Sequence, residues 1–278
     1  MPLILTNIWY LIVVMNDTAN TVLQIGGLPV MAHSIEEVAE ITSVSQALVL
    51  NIGTLSPQWI EGMRIAGKKV CFSHHVLVQS ARTPIHCMYT EQANELGVPI
   101  VLDPVGAGAT SFRKQTCMDL LNNLSIKIIK GNACEISVIA GLEGVEMRGV
   151  ESIGTLQNPE QVAQTLAKRL NTCVAMSGVV DIISDGTRTV AVRNGNEWLG
   201  SLTGTGCSTT SLVASFAAVE DDPLVAAVGG LVSMGLAAEM AVKKGVNGPG
   251  TFKAALHDAI FNLDEETIGK GARVAMLP

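Results

Sequence analysis

Four apolar segments of strand length alternate along the chain with segments of helical periodicity. The strand-like segments are residues 47–51, 99–103, 126–130 and 172–177, and helical patterns cover residues 34–44, 57–66, 114–124 and 159–170. The strand-like segments show no polar alternation, and each ends in a polar or small residue close to a Gly or Pro. This order predicts βαβ units with right-handed crossovers and an open, mainly parallel sheet. The 278 residues contain no repeat or clear linker, so one domain spanning 1–278 is expected.

The C-terminal half departs from this alternation. Residues 181–184 and 187–192 are β-like and flank Asp185-Gly186, a hairpin signal, which predicts an antiparallel edge. After Gly206 the pattern is helical almost to the end, with a break at residues 247–250 before a helix at 251–263. Because ligands of open α/β sheets bind at the carboxyl ends of the strands, polar residues 51–54, 103–108 and 130–132 are expected to converge there.

Composition excludes several classes of protein. The net charge of −7 argues against a nucleic-acid partner. Only 15% of the residues are charged against 48% hydrophobic, which predicts apolar surface covered in a homo-oligomer. The apolar start has no basic region, and the run 224–240 is short for a bilayer span, so we expect no membrane contact and a buried helix there. Six cysteines stand singly, which is typical of reduced, buried thiols in a cytoplasmic protein.

A glycine-containing loop, Leu202-Thr-Gly-Thr-Gly-Cys207, precedes a long apolar helix. Its glycines allow backbone N–H groups to turn toward one point, and the helix N-terminus adds a partial positive charge. The loop is neither a GK[ST] phosphate loop nor a complete GxGxxG motif. Taken alone, phosphate binding and a plain tight turn are about equally favoured.

Two carboxylates supply a candidate metal site. Asp103 directly follows a strand, and Glu135 lies three residues after Asn132, just beyond the next strand. The structural alternatives are a solvated Asp and a helix-capping box without chemistry. Together with the glycine loop, the pair favours Mg²⁺-assisted phosphoryl transfer, which needs positioning and charge neutralisation.

The combination of Asn132-x-x-Glu135 with Gly204-Thr-Gly-Cys207 resembles the ribokinase-like fold, and specifically the hydroxyethylthiazole kinase family. The similarity covers nearly the whole chain, through residues 18–20, 27–31, 48–54, 102–110, 130–132, 202–207 and 248–250. It implies a three-layer α/β/α fold with a mainly parallel sheet and an antiparallel edge. It also implies ATP-dependent phosphorylation of the hydroxyl of 4-methyl-5-(2-hydroxyethyl)thiazole in thiamine biosynthesis or salvage.

The resemblance assigns roles to matching positions. ATP is expected near Lys130 and Ser177, Lys130 replacing a family arginine, and the thiazole near Met31, Asn16 and Gly204. Mg²⁺ is expected at Asp103 and Glu135, and catalysis at the loop residues Gly204, Thr205, Gly206 and Cys207. The family is typically trimeric, with active sites at subunit boundaries.

Cys207 stands where most ribokinase-like enzymes have an aspartate that accepts the proton of the attacking hydroxyl. A thiolate at a helix N-terminus has a lowered pKa and would serve as the base. The alternative is that the amide groups and Mg²⁺ do most of the work while Cys207 fills space. In either case the transfer is expected to be direct and in line, without a covalent enzyme intermediate.

Two stretches depart from the family pattern. An insertion at about residues 70–92 carries Cys71, His74, His75, His86 and Cys87, whose spacing fits no zinc site, and it is interpreted as a surface loop or as translated non-coding sequence. Residues 8–12 are additional, which displaces Asn7 and Asn16 from their family register.

Three other functions stay open at this point. Related activities, such as a pyridoxal kinase or a nucleotide-repair dehydratase, usually present Asp at the position of Cys207, which disfavours them. An inactive homologue would act as a binding or assembly subunit. A kinase for another small heterocyclic alcohol is the third.

Overall fold

Most of the described strands of the chain form one sheet. The structure is a computed structural model that describes residues 4–9, 12–70, 97–142, 147–148, 151–152 and 158–278. The strands are β1 (Ile4–Trp9), β2 (Gly27–Val30), β3 (Ala47–Asn51), β4 (Ile100–Asp103), β5 (Ile128–Asn132), β6 (Met147–Arg148), β7 (Glu151–Ser152), β8 (Cys173–Ser177), β9 (Asp181–Ser184), β10 (Thr189–Val192) and β11 (Val274–Met276). Within these ranges, nine strands pair in the order β2-β1-β3-β4-β5-β8-β9-β10-β11, and β6 pairs with β7.

The sheet is parallel from β2 to β8 and antiparallel from β8 to β11. This confirms the predicted mainly parallel sheet with an antiparallel edge. The helices are α1 (Met15–Gln24), α2 (Val38–Val44), α3 (Pro57–Val70), α4 (Ser111–Asn123), α5 (Ala133–Ala140), α6 (Pro159–Leu170), α7 (Thr205–Ala217), α8 (Pro223–Lys243), α9 (Pro249–Phe261) and α10 (Glu265–Gly271).

Alternate side chains of the central strands enter two separate cores. Leu48 and Leu50 of β3 pack in a cluster with residues of α2 to α6, on one face of the sheet. Ala47 and Val49 of the same strand pack with residues of α1, α7 and α8 on the other face. A strand buried on both faces is therefore apolar throughout, as the sequence pattern indicated.

The sequence pattern missed five of the described strands: β1, β2, β6, β7 and β11. β1 lies between β2 and β3, β2 is an edge strand that contains Pro29, and β11 closes the antiparallel edge next to β10. Short edge strands such as β2 and β11 bury little apolar surface and tolerate proline, so they carry weak periodic signals. β1 lies inside the sheet, and its apolar pattern is interrupted by the buried polar residues Thr6 and Asn7. The expectation of helix almost to the end was therefore incomplete, because β11 follows α10.

The apolar run at 224–240 lies in α8, a 21-residue helix. α8 is long and apolar enough to cross a bilayer, but 67% of its most apolar 18-residue stretch is buried inside the protein. It is a core helix, as predicted, although longer than the sequence run suggested. Cys117, Cys134, Cys173 and Cys207 are buried free thiols. Cys71, Cys87 and the three histidines of the insertion lie outside the described residues, as does nearly all of the insertion.

Candidate active site

Polar residues end neighbouring strands at one edge of the sheet. Asn51 is the last residue of β3 and Asp103 the last of β4, and the two are register partners. Asn132 and Ser177 end β5 and β8 and are also register partners. Parallel strands thus bring together the residues that the sequence pattern placed at their carboxyl ends.

Asp103 is the centre of a buried hydrogen-bond network. Its Oδ2 accepts from Asn51 Nδ2 at 2.9 Å and from Thr210 Oγ1 at 2.8 Å. The Asn51 amide also lies 3.4 Å from Cys207 Sγ, and the Cys207 thiol bonds to the Asp103 carboxylate. Burial raises the pKa of Asp103, while Lys130 and these hydrogen bonds oppose the shift. The network joins the end of β4 to the first turns of α7.

The glycine loop forms the N-terminus of α7. Gly204 is the N-cap, with a φ of 88°, and a Cβ there would overlap the Val14 side chain. Ser208 N donates the first intrahelical bond to Gly204 O at 2.8 Å. The N–H groups of Thr205 and Gly206 therefore precede the first bond of the helix, where the helix dipole favours an anion.

Cys207 is buried in the first turn of α7, with 7% of its surface exposed. Burial raises the pKa of its thiol, and the Asp103 charge adds to the shift, against opposing effects of Lys130 and Asn51. The expectation of a lowered pKa is therefore wrong for this protein without ligands. Burial beside carboxylates raises the pKa of the thiol by more than the helix N-terminus lowers it, so the thiol is protonated at neutral pH.

Lys130 connects β5 to the glycine loop. Its Nζ donates to Gly206 O at 3.0 Å, and only 3% of the residue is exposed. The ammonium group therefore lies at the mouth of α7. Ser177 Oγ donates to Gly131 O at 3.3 Å and lies on the adjacent strand.

Glu135 forms a capping box with Asn132. Asn132 Oδ1 accepts from Glu135 N at 2.9 Å, and Glu135 Oε2 accepts from Asn132 N at 2.8 Å. The capping alternative is thus confirmed as geometry, but Glu135 Oε1 also accepts from Gly106 N at 2.8 Å, in the loop after Asp103. Burial, with a contribution from the Asp103 charge, raises the pKa of Glu135 to about 7.

Buried negative charge exceeds buried positive charge at this edge. Asp103, Glu135 and Asp181 are 2%, 5% and 8% exposed, and Lys130 acts electrostatically on all three. Burial raises the pKa of Asp181 to about 6. The surplus of hard oxygen ligands fits a divalent cation such as Mg²⁺. Within the described ranges no group of three or more His, Cys, Asp or Glu could hold a metal, so a cation here would need oxygens from phosphate or water as well.

A cavity of about 590 Å³ opens beside this charged cluster. Its lining includes Lys130, Ser177 and Asp181, together with Thr205 and Gly206 of the loop. The cavity continues between residues 193–200 and α8. Its lining by Lys130 and by Thr205 and Gly206 suits a ligand that places an anionic end at the mouth of α7.

The two residues expected to contact the thiazole, apart from Gly204, differ in their surroundings. Met31 follows β2, is partly buried, and packs against the apolar cluster of buried residues that includes Cys207. Asn16 is exposed on α1, where its Oδ1 accepts from Asn20 Nδ2 at 3.0 Å. The structure thus places Met31 against the same apolar core that contains Cys207, and Asn16 at the surface.

Sequence reasoning did not assign roles to Asn51, Thr210 or Asp181. Asn51 carried a signal, since it ends a strand beside the one that ends in Asp103. Thr210 lies three residues after Cys207 and so shares its helix face. Asp181 had no such signal, because only the return of the β8–β9 hairpin brings it toward Lys130.

A mainly parallel sheet, a glycine loop at a helix N-terminus and a buried carboxylate–lysine cluster fit a phosphotransferase of the ribokinase-like type. The sequence model of the hydroxyethylthiazole kinase family matches residues 2–78 and 76–266. The chain belongs to this family, and it is a kinase.

Relatives and solved structures agree with this membership. The chain is 52% identical to a hydroxyethylthiazole kinase of Roseiflexus castenholzii, over 96% of this chain and 89% of that protein. It is 51% identical to that of Desulfatibacillum aliphaticivorans, over 95% and 89%. The structure of the hydroxyethylthiazole kinase from Pyrococcus horikoshii superposes with a TM-score of 0.82 at 38% identity, covering 99% of this chain and 94% of that one. A pyridoxal kinase from Staphylococcus aureus, at 13% identity and a TM-score of 0.63, shares the fold, over 100% and 99% of the two chains.

Proposed function

We propose that this chain transfers the γ-phosphoryl group of ATP directly to the hydroxyl of 4-methyl-5-(2-hydroxyethyl)thiazole, in thiamine biosynthesis or salvage. The names of its relatives support the substrate. The observation that carries the proposal is the network in which Asn51 and Thr210 bind Asp103, because it fixes a buried carboxylate beside Cys207 at the mouth of α7.

The phosphates of ATP bind at the N-terminus of α7, beside Lys130 and Ser177. The backbone amides of Thr205, Gly206 and Cys207 receive the negative charge that develops during transfer. Lys130 adds a positive charge, but as a point charge it makes no bidentate contact, unlike the family arginine.

Asp103 and Glu135 would hold Mg²⁺, directly or through water. The ion would neutralise phosphate charge and orient the transferred group. Both Glu135 oxygens already accept backbone N–H groups, which keeps the carboxylate in one orientation.

The thiazole alcohol binds with its hydroxyl beside Cys207 and its ring against Met31 and Gly204, with Asn16 at the outer rim. Cys207, protonated without ligands, positions the hydroxyl and is not the resting base. A loose transition state needs little assistance from a base. The proton therefore leaves the oxygen late, as the bond to phosphorus forms and the bond to ADP breaks, and it passes to an oxygen of the transferred phosphoryl group.

The active assembly is a cytoplasmic homotrimer. Support comes from the family resemblance, from the sparse charge and from exposed apolar residues on packed elements at the α1 and α9 side, where Val13, Leu23 and Phe261 are 69%, 50% and 70% exposed.

An ADP-release assay on the purified chain tests the proposal. We expect release to require both hydroxyethylthiazole and Mg²⁺, to stop with excess EDTA, and to be at least about 100-fold slower with pyridoxal, since a shaped polar site rejects mismatched partners. Pyridoxal phosphorylation at an equal rate would favour the related kinase activity. Binding of thiazole and ATP without turnover would favour the inactive homologue.

A further inference from the structure

Arg113 joins the two loops that leave β3 and β4. Its Nη1 donates to Val105 O and its Nη2 to Gly53 O, each at 2.7 Å. The two carbonyls belong to separate loops, so one planar guanidinium sets the distance between them. Arg113 forms no ion pair within the described part of the chain.

The position of Arg113 in its helix is electrostatically unfavourable. It is the third residue of α4, after the N-cap Thr110, whose side chain accepts from Arg113 N. The N-terminus of a helix carries partial positive charge and favours Asp or Glu at this position. A basic residue at a helix position that favours acidic ones indicates that a contact elsewhere in the fold requires it.

The two loops held by Arg113 carry the proposed catalytic network. Gly53 N donates to Asn51 Oδ1 at 2.8 Å, and Asn51 in turn binds Asp103 and Cys207. On the other side, Val105 is followed by Gly106, whose N–H binds Glu135. Arg113 therefore closes a ring that passes through Gly53, Asn51, Asp103 and Val105.

The geometry points to Arg113 as a positioning residue for phosphoryl transfer: its guanidinium holds the Gly53 and Val105 loops together, and so keeps Asn51 and Asp103 aligned on Cys207. This inference rests on the proposed active site and deepens it. Arg113 contacts neither substrate in this role. Its loss misplaces the reacting groups, so the effect falls on kcat more than on KM.

Arg113→Met tests the inference, with Arg169→Met as the matched control. Arg169 also donates to two carbonyls, Ala140 O at 3.1 Å and Ile139 O at 2.8 Å, at the far end of α5. We expect Arg113→Met to lower kcat by about 10- to 100-fold with KM for ATP changed less than about threefold. Arg169→Met should lower the melting temperature by about as much as Arg113→Met does, but it should leave kcat unchanged. Arg113→Lys should recover part of the lost kcat, because one ammonium can replace only part of the fork.

The outcomes separate this inference from the proposed site. Wild-type kcat in Arg113→Met, or an equal loss of kcat in both methionine variants, overturns the positioning role. If Arg113→Met does not fold, Arg113→Lys decides: a kcat reduced at least about threefold in a folded protein supports the role, and an unchanged kcat refutes it. Asp103→Asn, measured in parallel, reports on the site itself. Full activity in Asp103→Asn refutes the proposed site. If Asp103→Asn is inactive while Arg113→Met is fully active, only the positioning role of Arg113 is refuted.

Discussion

Gly204→Ala is expected to lower kcat/KM for hydroxyethylthiazole by about 100-fold, because the glycine fixes the mouth of α7. Its φ of 88° lies in the left-handed region, which costs other residues about 1–3 kcal/mol. In addition, the new Cβ would overlap Val14, which is 1% exposed and cannot move into solvent. Displacing the loop by about 1 Å is enough for a loss of this size. Steady-state ADP release measures it.

Two further variants separate overlap from backbone strain. In the Gly204→Ala, Val14→Ala double variant, the overlap is relieved while the left-handed φ remains, so about tenfold of the activity should return. Gly250→Ala is the control, because its Cβ would meet no atom within 4 Å and its φ is not positive. Near-normal activity in Gly204→Ala would show that the α7 mouth does not bind the reacting phosphoryl group.

Asp103→Asn is expected to reduce kcat by about 100- to 1,000-fold while making the metal-free protein more stable. Asparagine can still accept from Asn51 or Thr210, but it removes the negative charge. Burial raises the pKa of Asp103, so the folded protein pays for ionising it. The variant should therefore have a higher free energy of unfolding than the wild type at pH 8.

The pH dependence of that gain follows from the direction of the shift. A carboxyl with a raised folded pKa contributes its stability below the unfolded value, near 3.8, and loses it as the pH rises through the folded value. The difference in the free energy of unfolding between Asp103→Asn and wild type should thus grow as the pH rises above the unfolded value of 3.8. Asp119→Asn is the control, because the Asp119 side chain is 34% exposed and pairs with Arg64, and it should shift the free energy of unfolding by less than about 1 kcal/mol. A less stable Asp103→Asn protein at pH 8 would contradict this account.

The sequence predicted the buried centre of the fold better than its edges. β3 and α6 have the predicted bounds because their apolar patterns are continuous and end at clear signals. β5 was placed two residues early, and α2 begins four residues later than its pattern. β11 was missed because a three-residue strand held mainly by backbone pairing leaves little trace in hydrophobic periodicity.

At the site, the sequence identified which residues lie close together, but not how their proximity changes their pKa values. Asp103, Cys207 and Lys130 converge as expected from strand ends and a helix start. The raised pKa of Cys207 was not foreseeable from its position at a helix N-terminus, because it depends on burial and on the carboxylates that the fold places nearby. The role inferred for Arg113 likewise depends on two loop carbonyls, which have no signature in side-chain pattern.

The most direct test of the account is a crystal structure of the protein with hydroxyethylthiazole, Mg²⁺ and a non-hydrolysable ATP analogue. The account predicts the substrate hydroxyl within about 4 Å of Cys207 Sγ and in line with the γ-phosphorus, which is bound by the amides that open α7. A hydroxyl located outside the Asp103–Cys207 cluster, or phosphates bound away from the mouth of α7, would contradict it.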